Sequence, residues 1–412
     1  MSLELKYFLE LSKCAIYNQD ATSITPVHMN WENILQLARK HNMSALLYKT
    51  VSLLPENLRP SQVLLNRWKE EAFRYGLHQF GQNQEESLIL AEAKKQGILC
   101  IPFKGLLLAE LYPEPLMRTS GDADILVSPK DKDKMIEILV GRGYELDQRE
   151  TTETVFTYER HGVLSVELHI SLWEEYIGKR KTLLEQLDLT NPSTLIEVTA
   201  CDIPFHTLGY EQHLIYQIYH MIKHFSLSGI GVRHLTDLTL YVNRYYDRIN
   251  FADFWNTMEM LNYSVCCSYF FKICVGCFGM RKEAMKGSKI KTNIDLEPLI
   301  EDIIDGGVFG NSSTERFHAR NIIKPYLNNQ KKIELKKSRL VIGIIFPGNE
   351  TLKSQYPYAK KHGILLPFAW IQRNCYLLKK HFGKSKESYG DKTLEQAKYR
   401  LKLLKELEII NK

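Results

Sequence analysis

The feature that most constrains this chain is a pair of aspartates, one residue apart, at the head of an apolar run: Arg118-Thr-Ser-Gly-Asp122-Ala-Asp124-Ile-Leu-Val. Alternate residues of a β-strand project to the same face, so Asp122 and Asp124 converge on one point. Roughly forty residues later, Leu164-Ser-Val-Glu-Leu-His-Ile reads as a second apolar strand, and it carries Glu167. A charge inside such a strand is expensive unless something compensates it. Three carboxylates meeting at one sheet face repel one another, and divalent cations are the usual remedy.

The surrounding periodicity predicts an α+β fold. Residues 1–95 read as a helical region, with Asn30 capping a helix from Trp31 and Pro60-Ser61 opening a long one that stops at Gly97. A core at 96–180 follows. Ile98-Leu-Cys-Ile-Pro-Phe103 is a short strand ended by Lys104-Gly105, and a short helix runs from Leu106 to Tyr112. Ser128-Pro129 opens an amphipathic helix that closes at Gly141-Arg-Gly143. Thr154-Val-Phe-Thr-Tyr158 and the Glu167 strand form a hairpin across Arg160-His-Gly162. From about residue 176 the chain returns to helices, with short β stretches near Leu195 and Ile203, and residues 181–320 are expected to complete a cleft. Asp305-Gly-Gly-Val-Phe-Gly-Asn-Ser-Ser predicts a flexible connection. Residues 321–412 read as a mostly helical extension with an apolar segment at Leu340-Val-Ile-Gly-Ile-Ile-Phe.

Composition narrows the class without naming a function. A 44% hydrophobic fraction over 412 residues is ample for packed interiors, and the net charge of +6 mildly favours anionic ligands. Part of that surplus lies in Asn329-Gln-Lys-Lys-Ile-Glu-Leu-Lys-Lys, which a solvated face explains. No apolar run is long enough to span a bilayer as a helix and no secretory leader is evident, so a cytoplasmic location without membrane insertion is expected. Eight cysteines, mostly inside apolar patterns, read as reduced thiols, and Cys274-Val-Gly-Cys277 as helix packing.

Four elements occur in order: Phe103-Lys104-Gly105, Leu111-Tyr112, Arg118-x-x-x-Asp122-x-Asp124-Ile-Leu-Val and Glu167-Leu168-His169. Their sequence resembles a bacterial family of uncharacterised nucleotidyltransferases within the DNA polymerase beta-like superfamily. The resemblance is clear over residues 97–175 and looser beyond, to segments near 220, 356 and 366. It implies a small mixed β-sheet nucleotidyltransferase core with flanking N- and C-terminal helical regions. It also implies Mg2+ (or Mn2+) held by Asp122, Asp124 and Glu167, which serve as the catalytic set. The implied reaction moves a nucleoside monophosphate from an NTP, read as ATP, to a hydroxyl-bearing acceptor, with Glu167 assisting deprotonation. Superfamily members carry Gly-Ser shortly before the aspartates, whereas here Gly105 is followed by Leu106. Phosphate contacts are therefore assigned to Lys104, Gly105, Arg118, Thr119, Ser120 and the backbone at Gly121. His220 and His224, on one helical stripe with His213, are assigned to the nucleotide cleft.

His169 is expected on the opposite strand face from Glu167, in a structural role. Arg233 and Asp237, at i and i+4, are expected to pair with each other. The acceptor is open among a small molecule, a saccharide, a protein side chain and tRNA, and the oligomeric state is unknown. Two other readings remain at this point: an inactive nucleotide-binding or interaction module of the same fold, and a toxin-like transferase acting on nucleic acid. The second would need a basic groove, and no concentrated basic run lies near the carboxylates.

Overall fold

The structure, a computed structural model, describes residues 1–148, 150–173, 181–227, 229–289 and 295–308, and parts of the chain between 316 and 410. Side-chain caps start the N-terminal helices. Ser2 accepts the Leu5 N–H at α1 (Leu3–Ile16), Asn30 accepts Asn33 at α2 (Trp31–Lys40), and Ser61 accepts Leu64 at α4 (Gln62–Lys95). With α3 (Ser44–Ser52) these helices bury Phe8, Ile34, Leu47 and Trp68 in a shared core. The long α4 gives way at Gly97, whose φ of +72° suits a residue without a Cβ.

Five strands then build one mixed sheet: β1 (Ile101–Pro102), β2 (Asp122–Leu126), β3 (Glu145–Leu146), β4 (Val155–Glu159) and β5 (Ser165–His169). Their spatial order is β1-β2-β5-β4-β3. Only β2 and β5 are parallel, and a parallel neighbour requires a crossover, which α6 (Lys132–Gly141) supplies. The predicted hairpin is the antiparallel β4–β5 pair. Glu167 thus sits on a central strand, not an edge. The short α5 (Gly105–Ala109) follows β1 directly. This is the α+β class expected from the pattern.

The predicted β stretches near 195 and 203 form a separate hairpin, β6 (Ile196–Ala200) and β7 (Ile203–Thr207). It leans on the sheet through Thr207 Oγ1, which donates to the Pro102 carbonyl at 2.7 Å. After α7 (Lys181–Gln186) and this hairpin come α8 (Tyr210–Leu227), α9 (Val232–Tyr245), α10 (Phe251–Met260), α11 (Ser264–Phe278) and α12 (Glu297–Gly306). Phe103 from the sheet, Tyr216 from α8 and Phe270 from α11 belong to one continuous core. Within α11 the Cys274 thiol is buried and donates to the Leu235 carbonyl, so this part of the Cys-x-x-Cys serves packing. Among the described residues no helix is long and apolar enough to cross a membrane.

Buried ions fasten the C-terminal helices. Of α13 (Leu366–His381) and α14 (Lys386–Glu406), the latter sends Arg400 to Asp302 on α12 at 2.6 Å and to the Phe225 carbonyl on α8. Arg316 grips the same Asp302 with two bonds at 3.0 and 2.9 Å. The flexible connection is described only as far as Val308, with α12 running to Gly306, and the basic run from Asn329 and the apolar segment from Leu340 lie outside the described residues.

Asp302 therefore holds two buried guanidinium groups. Replacing Asp302 with Ala takes the buried carboxylate from both guanidinium groups, while Arg316 keeps its longer contact to Asp305 at 3.3 Å, and the expected loss is about 3–5 kcal/mol of unfolding free energy. Urea denaturation measures it, and a loss below about 1 kcal/mol would show that the pair holds nothing together.

Candidate active site

Register places the acids. In the parallel β2–β5 pair Asp124 stands opposite Glu167, Asp122 opposite Ser165 and Leu126 opposite His169. Between them Ala123, Ile125, Val166 and Leu168 enter the core, so the strands expose only their polar face. Here one expectation is corrected. His169 lies two residues from Glu167, and the alternation that joins Asp122 to Asp124 also joins these two. Its Nε2 lies 3.2 Å from Asp124 Oδ1 and 3.5 Å from Glu167 Oε2. Asp124, Glu167 and His169 each offer a ligand atom within 4.8 Å of the others.

Lys104 enters the same cluster. Its ammonium sits 2.6 Å from Asp124 Oδ1 and 3.2 Å from His220 Nε2. The backbone there has φ +90° and ψ −98°, a region that side-chain-bearing residues avoid at a cost of about 1–3 kcal/mol. Two bonds hold the loop: Leu108 N–H donates to the Lys104 carbonyl at 2.8 Å, and Arg118 Nη1 donates to the Gly105 carbonyl at 3.4 Å.

The loop ahead of β2 is occupied differently from the phosphate contacts assigned to it. Arg118 is buried and spends its fork on Asp237 of α9, at 2.8 and 2.9 Å, while Tyr112 donates to the same carboxylate at 2.8 Å. Asp237 is thus taken by Arg118, and the expected Arg233–Asp237 pair is not the contact that forms. Arg233 instead donates from Nη1 to the Thr119 carbonyl, and its buried Nε has no partner among the described residues. The Ser120 N–H is committed to Gln79 Oε1 at 2.8 Å, and the Thr119 hydroxyl to the Asn42 carbonyl at 3.5 Å. Gly121 stays open, with nothing beyond its chain neighbours within 4 Å of where a Cβ would stand among the described residues. The i+4 spacing of Arg233 to an aspartate has a simpler local explanation, and so the sequence gives no sign of its contact with Thr119.

The charges explain the protonation states. Burial, then Asp124 and Glu167, push the Asp122 carboxyl up to about 6 against the pull of Lys104 and Arg233. Burial also raises Asp124, but Lys104 and the His169 hydrogen bond outweigh it and hold that carboxyl below its ordinary range. The Lys104 ammonium is pulled down by burial yet held above its usual range by Asp124, Asp122 and Glu167. A fourth acid, Glu86 on α4, is pushed up to about 8 by burial and by the two aspartates. Hard carboxylate oxygens whose mutual repulsion is only partly offset suit a divalent cation, so the residues present fit the metal that the resemblance implies.

Behind Lys104, His224 Nε2 lies 2.8 Å from His220 Nε2. Burial and Lys104 hold His220 well below the usual histidine range, and burial with Lys223 does the same for His224. Their stripe-mate His213 has no part in this chain, since it stacks on Tyr241 at 4.8 Å.

A family described as uncharacterised nucleotidyltransferase matches residues 28–279, well over half of the chain. The chain belongs to this family. The match takes in both strands of the acidic face and the α8–α9 pair. No curated protein matches the chain. Two solved structures overlap it loosely. One is the antibiotic-resistance factor ANT(2'')-Ia, at 12% identity and TM-score 0.32, covering 46% of this chain and 94% of that one. The other is an antigenic nucleotidyltransferase-like protein from Paracoccidioides brasiliensis, at 13% identity and TM-score 0.33, covering 50% and 97%. Overlaps of that quality carry no weight beside the family match.

The raised Asp122 carboxyl gives a pH signature for this nucleotidyltransferase. Its native value of about 6 exceeds the ordinary 3.8, so the folded state binds the proton more tightly and gains stability as pH falls from 6 to 4. Above pH 6 the ionised group costs stability. Asp122→Asn is expected to stabilise the metal-free protein by about 1–3 kcal/mol at pH 8, with the gain vanishing near pH 4. Urea titrations in EDTA test this, and a destabilised variant at pH 8 would contradict it.

Proposed function

We propose that this enzyme transfers a nucleoside monophosphate from an NTP, with ATP as donor, to a hydroxyl-bearing acceptor. The observation that supports it most is the in-register pairing of Asp124 with Glu167, with Asp122 on the same sheet face. Asp122, Asp124 and Glu167 would hold Mg2+ or Mn2+, which when bound neutralises the triphosphate and sharpens the acidity of the acceptor hydroxyl. His169 adds a nitrogen beside two of those acids.

The chain's own groups then divide the work. Lys104 and Arg233 bring positive charge to the triphosphate, and the open backbone at Gly121 permits close approach of its oxygens. Arg118 acts at one remove, fixing the Gly105 carbonyl and the loop ahead of the aspartates through Asp237. Lys104, whose ammonium sits 2.6 Å from Asp124 Oδ1, would be available to phosphate if the three acids held a divalent cation. His220 and His224 extend the polar line from Lys104 along α8. The acceptor oxygen forms a bond to the α-phosphorus while the bond from that phosphorus to the bridging oxygen breaks. Pyrophosphate leaves with the electron pair. The acceptor's proton passes to Glu167, whose side chain keeps 35% of its surface open. Positioning and charge neutralisation supply most of the acceleration in such a transfer.

Calorimetry separates this reading from a site that binds nothing. Wild type is expected to bind Mg-ATP, and the Asp122→Ala/Asp124→Ala double variant to bind it at least about tenfold more weakly. Equal affinities would remove the support for the nucleotide site. Glu167→Gln is expected to keep ATP binding while pyrophosphate release falls by about 10²–10⁴. Unchanged release would take the proton-accepting role from Glu167.

A further inference from the structure

The inner face of α4 is polar where a core-facing stripe is ordinarily apolar. Gln79 and Glu86 each stand three and four residues from Gln82 and Asn83, so the four share one helical stripe, and their exposures are 4, 4, 5 and 5% in chain order. On the outer side of the same turns Phe73, Leu77 and Phe80 stand in the open. The polar stripe borders the acidic site. Gln79 Oε1 accepts the Ser120 N–H, and Gln79 Nε2 donates to Asn83 Oδ1 at 2.9 Å. Glu86 Oε2 lies 4.0 Å from where a Cβ on Gly105 would stand. Two buried polar atoms of the stripe have no partner among the described residues: Asn83 Nδ2, a donor, and Gln82 Oε1, an acceptor. Leaving such an atom unpaired costs about 1–3 kcal/mol, a cost that packing alone gives no reason to bear.

We propose that this stripe is the acceptor subsite, and that the acceptor is a small uncharged polyhydroxylated molecule, a sugar or cyclitol in class. The inference rests on the transferase reading above. An unpaired amide donor, an unpaired amide acceptor and a carboxyl group within five residues of one helix match hydroxyls, each of which both donates and accepts. The stripe carries no lysine or arginine, so the phosphates of an RNA acceptor find no counter-charge on it. The nearby Arg142 and Arg160 are already paired with Glu85.

The test is transfer of label from α-labelled Mg-ATP to D-glucose, N-acetyl-D-glucosamine, myo-inositol or unfractionated tRNA, with Mg-ATP binding measured first. Wild type is expected to label one of the three polyols. For that polyol, kcat/KM falls about tenfold or more in Asn83→Ala and in Gln82→Leu, while the Mg-ATP Kd stays within about twofold. Gln82→Leu also melts at the same temperature or higher, because it removes an unpaired acceptor. Labelling of tRNA alone, of nothing, or of a polyol equally well by both variants overturns the proposal. So does a melting point several degrees lower in Gln82→Leu, which would mean that the amide serves the fold. A wild type that fails to bind Mg-ATP instead sinks the transferase reading, before any acceptor is added.

Discussion

Like charge held together on one sheet face is the constraint from which the rest of this structure follows. Asp122, Asp124 and Glu167 are brought close by the parallel pairing of β2 with β5, while the alternate residues of both strands are committed to the core. Neither strand can slip by one residue without burying the acids and exposing the apolar set. Repulsion is therefore built into the fold, and positive groups are arranged around it. Lys104 accepts an unfavourable backbone conformation in a position that puts its ammonium on Asp124. Arg233 approaches from α9 through the Thr119 carbonyl.

A second arrangement explains why the sheet and the helices after it act as one site. The arginine of the aspartate motif reaches away from the acids, to Asp237, and joins Tyr112 on a single carboxylate. That buried group ties the loop before β2, the segment after α5 and helix α9 together. A bidentate guanidinium–carboxylate pair has little angular freedom, so it sets direction as well as distance. The residue type that looks made for phosphate is here better placed to hold the site's walls in register.

Legibility in the sequence followed the range of the interaction. The strands carrying Asp122, Asp124 and Glu167, the β4–β5 hairpin and the Asn30 and Ser61 caps were readable because each depends on neighbours within a few residues. The side of the strand on which His169 stands was equally local, and the misplacement was one of parity rather than of missing information. Partners drawn from distant segments were not legible. Nothing near Arg118 in the chain points to Asp237, more than a hundred residues on, and nothing near Ser120 points to Gln79. The i+4 rule favoured Arg233 for Asp237, a contact worth a few tenths of a kcal/mol on a helix surface, and a buried bidentate pair outcompetes it.

The helix α4 shows the same lesson in a longer element. Its outer turns, near Leu64, Trp68, Ile89 and Leu90, bury apolar residues as an amphipathic helix should. Between them the pattern inverts: Gln79, Asn83 and Glu86 turn inward, and Phe73, Leu77 and Phe80 turn outward. A periodicity reading averages over such a helix and sees only its length. The inversion has a physical cause once the acids are in view, because an apolar wall beside three carboxylates would deepen the cost of holding their charge. A polar wall is the lower-energy neighbour for the site, and the neutral Glu86 carboxyl, held up by that same field, is part of it. The charges on β2 and β5 thus shape the composition of a helix that precedes them in the chain.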